Sequence, residues 1–239
     1  MLTQVTQRIE EELDRIEREE QVCVVYACES GSRAWGFESG DSDYDVRFIY
    51  IRPTSWYLTI QNKRDVVERS IQGDLDFSGW DLPKTLGLFR KSNPPLLEWL
   101  QSPIVYRETG STAARLRELM PRYYSPKACL YHYLHMAQGN NRQYLQGQQV
   151  PLKKYFYVLR PVLACLWIEQ GLGVVPTEFG VLVDRLLKQQ GPLRQAVEKL
   201  LDQKRQGMEL DRGERIPVIS DFLDEELERL SGEHVPPPD

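Results

Sequence analysis

Histidine is scarce in this 239-residue chain, with 3 in all, and its 4 cysteines, Cys23, Cys28, Cys129 and Cys165, form no CxxC pair. That excludes a zinc centre built on imidazole and thiolate and argues against a disulfide framework. Cysteines set in apolar runs read instead as reduced, buried thiols. Any metal must be held mostly by oxygen, which points to Mg²⁺ or Mn²⁺. Also missing is a run of the roughly 18 apolar residues that a bilayer span requires, and Met1 is followed by a polar, charged stretch rather than an apolar leader. The expectation is a cytoplasmic protein without membrane association. Charge of one dominant sign is lacking too. A net charge of -5, from 30 basic and 35 acidic residues, argues against a surface given over wholly to nucleic acid, while leaving room for a local basic groove.

What is present is an ordinary globular composition, 41% hydrophobic and 27% charged, enough to bury a core. Val5, Ile9, Leu13 and Ile16 recur at helical spacing and predict an amphipathic first helix whose apolar stripe covers a sheet. Val22 to Cys28 reads as a buried strand broken by Ser30, Gly31 and Ser32, with a short helix next. From Asp43 to Ile51 the residues alternate, which puts Asp43, Asp45 and Arg47 on one face of a strand and Tyr44, Val46 and Phe48 on the other. A third strand is expected from Asp65 to Ile71, with a turn at Gly73-Asp74 and a short strand around Leu75 to Phe77. A helix follows near Asp81, then a break at Asn93-Pro94-Pro95, a short apolar helix and a connector from Pro103 to Tyr106. Beyond that the pattern is helical, with helices at about 109–120, 125–146, 151–170, 177–190, 192–206 and 220–231, the third kinked or interrupted by Pro161. The domains read as 1–108, 109–232 and a disordered tail, 233–239.

Two aspartates one residue apart on a strand present their carboxylates on one side, close enough to share a pair of divalent ions. Such a pair suits phosphoryl transfer, one ion activating a hydroxyl and the other neutralising a triphosphate. A bare DxD is a weak signal, since most are solvated loops. Its position after an apolar strand and a Gly31-Ser32 turn strengthens it, because glycine lets backbone approach a phosphate and serine adds a hydroxyl. The same turn also reads as a simple helix cap. Arg33 and Arg47 can each present a fork of donors to phosphate, and Arg47 reads equally well as a salt bridge fixing Asp45. Trp35 and Phe37 read as core packing ahead of base stacking. Lys153, Lys154 and Arg160, with Tyr157, can share a broad helix face, and His132 and His135 carry no assigned role.

GSRAWG followed by SDYDVR resembles the signature of the polymerase-β nucleotidyltransferase superfamily. SGSRAWGFES, SDYDVRFIY, the GWDL run, NPPLLEWLQSPIVY and KKYFYVLRP together resemble, across roughly 22–180, the RNA repair pathway DNA polymerase beta family (RlaP). The resemblance implies an α+β fold, a mixed sheet with flanking helices followed by a C-terminal helical domain that completes a nucleotide cleft. It further implies an NTP, ATP among the candidates, two Mg²⁺ or Mn²⁺ ions, and three carboxylates. By this resemblance Asp43 and Asp45 hold both metals and a neighbouring strand supplies the third acid. Asp76 is the choice for it, ahead of Asp74 as a turn residue and Asp81 as a cap. The family's KKYFYVLRP run assigns Lys153, Lys154 and Arg160 to the triphosphate, alongside Gly31, Ser32, Arg33 and Arg47.

The activity implied is transfer of a nucleoside monophosphate to an acceptor hydroxyl with release of pyrophosphate, the acceptor being an RNA 3′ end. Alternative acceptors are a protein side chain, as in antitoxin-like members of the superfamily that add AMP to a toxin, or a small molecule. A non-catalytic nucleotide-binding module is the reading from a different class. The intact Gly31, Ser32, Asp43 and Asp45 count against it.

Overall fold

The computed structural model describes residues 2–40, 42–61, 63–207, 210 and 212–232, so the expected tail lies outside the described residues. In chain order the elements are α1 (Leu2–Glu20), β1 (Cys23–Glu29), α2 (Gly31–Trp35), β2 (Tyr44–Ile51), α3 (Thr54–Tyr57), β3 (Val66–Gln72), β4 (Leu75–Asp81), α4 (Leu82–Arg90), α5 (Pro94–Leu100), β5 (Val105–Glu108) and α6 (Thr112–Tyr123). They continue as α7 (Pro126–Tyr144), β6 (Gln149–Pro151), α8 (Lys154–Glu169), α9 (Phe179–Leu186), α10 (Pro192–Arg205), β7 (Arg212–Glu214) and α11 (Pro217–Gly232). Among the described residues no helix is long and apolar enough to cross a membrane.

The chain divides into two compact units, one comprising Met1–Ala34, Ser42–Lys91 and Pro95–Tyr123, the other Trp35–Asp41, Ser92–Pro94 and Tyr124–Asp239. Helix α6, assigned from sequence to the helical half, clusters with the sheet.

The first unit is built on a five-stranded sheet ordered β3-β4-β2-β1-β5, in which β2 and β4 run parallel and the other neighbours antiparallel. The mixed α+β architecture expected from the sequence is therefore the one the chain forms. The stripe of α1 behaves as its spacing predicts. Ile9, Leu13 and Ile16 are fully buried and join Val24, Val46, Phe48, Leu75 and Phe77 in one core on one face of the sheet. Strand β4 alternates strictly, with Leu75, Phe77 and Gly79 buried. Gly79 is required there, because a Cβ at that position would meet the ring of its partner Phe48 at 2.1 Å. On the opposite face Trp80 stacks on Trp99 of α5, centroids 3.8 Å apart. Strand phase thus sends the residues between the core positions, Asp45 and Asp76 among them, to the face away from α1.

Two sequence expectations are corrected in this unit. The segment expected as a connector is partly strand β5, which pairs antiparallel with β1 although Val105 to Glu108 shows no alternation of burial. The β2 strand begins at Tyr44 rather than Asp43, because its first partner on β4 is Leu75, and Tyr44 N–H donates to the turn carbonyl of Asp74 at 2.7 Å.

The second unit is helical, with a two-stranded ribbon of β6 and β7 that the sequence reading lacked. Helix α8 runs through Pro161 without interruption. A proline costs one backbone hydrogen bond, and burial of most of the helix outweighs that loss. Tyr155 on α8 ties the unit together, its hydroxyl accepting from Ile216 N–H at 2.9 Å and sharing a hydrogen bond with Ser220 at 2.7 Å.

Candidate active site

The site forms where β1 ends. Its apolar run stops at Glu29, Ser30 N–H donates to the Asp45 carbonyl at 2.9 Å, and Gly31 takes φ +59, a conformation open to glycine at little cost. The turn and the acid are in close contact, since a Cβ on Gly31 would lie 2.1 Å from Asp45 Oδ2. Helix α2 has only five residues, too few for a developed helix dipole, so any hold on phosphate there must come from local N–H groups and the part-buried Ser32.

On β4, Asp76 is the direct register partner of Asp45. Arg47, two residues along β2 on the same face, places Nη2 2.9 Å from Asp45 Oδ1 and 2.8 Å from Asp76 Oδ2. Its Nη1 donates to the carbonyls of Val46 at 3.2 Å and Asp76 at 3.3 Å. Burial pushes the Asp45 carboxyl above its usual range, Arg47 pulls it back, and the charges of Asp76 and Asp43 push it up again. Asp43 is exposed in the segment before the strand, near enough to act on Asp45 but not in its ladder.

The other two acids considered for the third position lie elsewhere. Asp74 sits at the β3–β4 turn and pairs with Arg8 at 2.9 Å, which holds it below the usual carboxylate range. Asp81 pairs in register with Tyr50, roughly 16 Å along the strand from Asp76, and accepts from Tyr57 Oη at 2.6 Å.

Arg33 is engaged within the loop. It donates to the carbonyls of Ser42 at 2.6 Å and Asp43 at 3.1 Å, and its guanidinium lies 3.7 Å from the centroid of the Tyr44 ring. It therefore holds the chain that leads into the acidic strand. Lys153, Lys154 and Arg160 belong to the second unit. Lys153 is exposed, and the Lys154 ammonium sits 4.3 Å from the Tyr144 ring centroid and 4.4 Å from that of Tyr157. Arg160 is 2% exposed and donates to the carbonyls of Pro176 and Thr177, both at 3.2 Å. Phe37 packs on Phe156 with centroids 4.6 Å apart, the core role expected of it. His135 Nδ1 lies 3.0 Å from the Tyr131 carbonyl.

Sequence reasoning missed Glu29. Fully buried, it accepts from Asp45 N–H at 2.7 Å and Ser30 N–H at 3.2 Å through Oε1, and from the Tyr106 hydroxyl through Oε2. Burial pushes its carboxyl up to about 6 against the pull of those three donors. One side chain thus couples the turn, the acidic strand and β5. The available signal was an acid closing an apolar strand one residue before Ser30-Gly31.

The profile of the RNA repair pathway DNA polymerase beta family, RlaP, matches residues 5–239. The chain belongs to this family. A relative from Bacillus subtilis (strain 168), described as uncharacterized protein YcgL, is 55% identical over 224 residues, covering 94% of this chain and 86% of that protein. A solved nucleotidyltransferase-like protein from Exiguobacterium sibiricum 255-15 is 12% identical, with coverage of 94% of this chain and 77% of that one and a TM-score of 0.33. RlaP membership points to a nucleotidyltransferase-type function.

Among the described residues no group of three or more acid, histidine or cysteine side chains is gathered tightly enough to hold a metal as it stands. The chemistry of the donors still fits a hard cation. Asp45 and Asp76 are paired carboxylates on adjacent strands, Asp43 is close by, and Gly31 leaves beside Asp45 Oδ2 the space that any Cβ would fill.

Proposed function

We propose that this RlaP protein transfers a nucleoside monophosphate from an NTP to an acceptor hydroxyl and releases pyrophosphate. The observation that carries this reading is the register pairing of Asp45 with Asp76 on parallel strands, against a Gly31 turn that only glycine fits. Asp43, Asp45 and Asp76 would hold Mg²⁺ or Mn²⁺, which supplies charge neutralisation at the triphosphate and acidifies a hydroxyl. The chain's own residues do the rest. Gly31 and Ser32 bring backbone N–H groups and a hydroxyl beside the acids, and Glu29 and Arg33 hold the backbone that leads into Asp45, Glu29 at the Asp45 N–H and Arg33 at the Ser42 and Asp43 carbonyls.

The acceptor proposed is an RNA 3′ end, on the support of the family's description. A screen with labelled NTPs, with Mg²⁺ or Mn²⁺, offering RNA ends, total cell protein and small alcohols tests both parts. Label on RNA that disappears in Asp45→Ala and Asp76→Ala supports the proposal, and label on protein or on a small alcohol moves the acceptor. No pyrophosphate with any NTP leaves a nucleotide-binding module.

A further inference from the structure

We infer that Arg47 is a fixed clamp on the carboxylates proposed to bind metal, a positioning residue that fixes Asp45 and Asp76 relative to each other by one oxygen of each. The inference rests on the metal-dependent reading above. Its basis is how the guanidinium itself is held. Nη1 is tied to the backbone carbonyls of Val46 and Asp76 at 3.2 and 3.3 Å, so the position of the group is set by the two strands and not by the acids alone. From that anchorage Nη2 reaches Asp45 Oδ1 at 2.9 Å and Asp76 Oδ2 at 2.8 Å, taking one oxygen from each. The side chain is 18% exposed, more enclosed than either carboxylate, at 31% and 30%.

These contacts decide among three roles for an arginine beside paired acids. A phosphate-binding arginine needs its donor fork directed at the ligand. Here Nη1 and Nη2, which carry four of the five N–H donors, are committed to protein oxygens. A mobile counter-ion that gives way to the metal would be held by the acids alone, and the two carbonyl contacts are inconsistent with that. A clamp uses all four contacts. It also offsets the mutual repulsion of Asp43, Asp45 and Asp76, which otherwise would splay the carboxylates apart. Hydrogen-bond partners of metal-ligating carboxylates act in this way, fixing ligand orientation and tuning affinity. Lysine cannot substitute, since a point charge with three donors on a flexible stem does not span two carbonyls and two carboxylates at once.

The test is direct Mn²⁺ titration of the full chain, followed by calorimetry and by the electron paramagnetic resonance of the free ion, for the wild type, Arg47→Lys, Arg47→Met and Asp45→Asn, with thermal melts of each. Both Arg47 variants are expected to bind Mn²⁺ roughly 10- to 100-fold more weakly than wild type, and Asp45→Asn to lose binding. Transfer activity of Arg47→Lys is expected to recover at saturating Mn²⁺ with an unchanged KM for NTP, which loss of a phosphate contact would not allow. Binding by Arg47→Lys at or above wild-type affinity overturns the clamp, with tighter binding marking Arg47 as a competing counter-ion. Arg47→Lys decides alone if Arg47→Met does not fold. Should wild type and Asp45→Asn bind Mn²⁺ equally, or neither bind it, the metal-dependent reading falls and the clamp with it.

Discussion

At the start of β2 the carboxylates of Asp45 and Asp76 share the guanidinium of Arg47 with Asp43 close by, whereas on α8 the guanidinium of Arg160 donates to the neutral carbonyls of Pro176 and Thr177. The first arrangement sets three carboxylates against one cation, and it keeps Asp45 part-buried although that burial, with the charges of Asp76 and Asp43 behind it, pushes its carboxyl up. Folding alone gives no reason to gather like charges, because each raises the cost of ionising the next. The second arrangement closes on itself, joining α8 to the segment before α9. Two arginines in one chain thus mark different tasks. Arg47 joins two carboxylates, and Arg160 joins backbone carbonyls.

Substitutions at these places separate the tasks, and the largest expected effect is on the acids. Asp45→Ala and Asp76→Ala should each lower nucleotide transfer by more than about 100-fold, the upper end of what losing a mere outer partner of a ligand costs, while the melting temperature holds or rises as repulsion is relieved. Retained transfer in either variant removes that residue from the site. Arg160→Met should do the converse. Leaving two buried carbonyls without their charged donor costs about 3 kcal/mol, read by urea unfolding, with transfer per folded molecule close to wild type. A variant that is stable but inactive would return Arg160 to the triphosphate role that sequence resemblance gave it. Gly31→Ala comes next. Its Cβ would collide with Asp45 Oδ2 in a backbone conformation at φ +59 that already disfavours alanine, so a loss of about 1 to 2 kcal/mol in stability should accompany a fall in transfer. Unchanged transfer in that variant would separate the turn from the acid.

The sequence carried the frame of the site because that frame is periodic. Alternation along β2 and β4 is enough to put Asp45 and Asp76 on one face, and the stripe of α1 is enough to say which face it is not. Asp43 was misplaced because alternation by itself does not tell where a strand begins. The ladder starts at Tyr44, where β4 supplies a partner, and Arg33 holds the loop before it. Strand β5 and the β6–β7 ribbon escaped for the same reason, being short and fixed by partners distant in sequence. Arg160 read as part of a basic face because helical spacing places side chains around an axis without saying which side is buried. Helix α8 is enclosed on most of its circumference, so its one-dimensional pattern was uninformative.

Glu29 sharpens the comparison most finely, since it is a buried acid that serves backbone within the unit that gathers acids for a ligand. Three donors converge on it, Asp45 N–H, Ser30 N–H and the Tyr106 hydroxyl, and no charged partner is among them. What these donors require is an acceptor of the right shape, and a negative charge is not essential, as burial pushing the carboxyl up to about 6 already indicates. Glu29→Gln keeps an oxygen for the two N–H groups and turns an amide N–H towards Tyr106, whose hydroxyl can accept as well as donate. Its stability should therefore stay within about 1 kcal/mol of wild type. Glu29→Ala orphans the Asp45 N–H and the Tyr106 hydroxyl, while Ser30 N–H keeps the Asp45 carbonyl, and should cost about 2 to 3 kcal/mol. Urea unfolding of the two variants side by side measures the difference. Equal stability would mean that Glu29 does not hold the turn and the acidic strand together, and a large loss in the glutamine variant would mean that its charge, rather than its shape, is what the site needs.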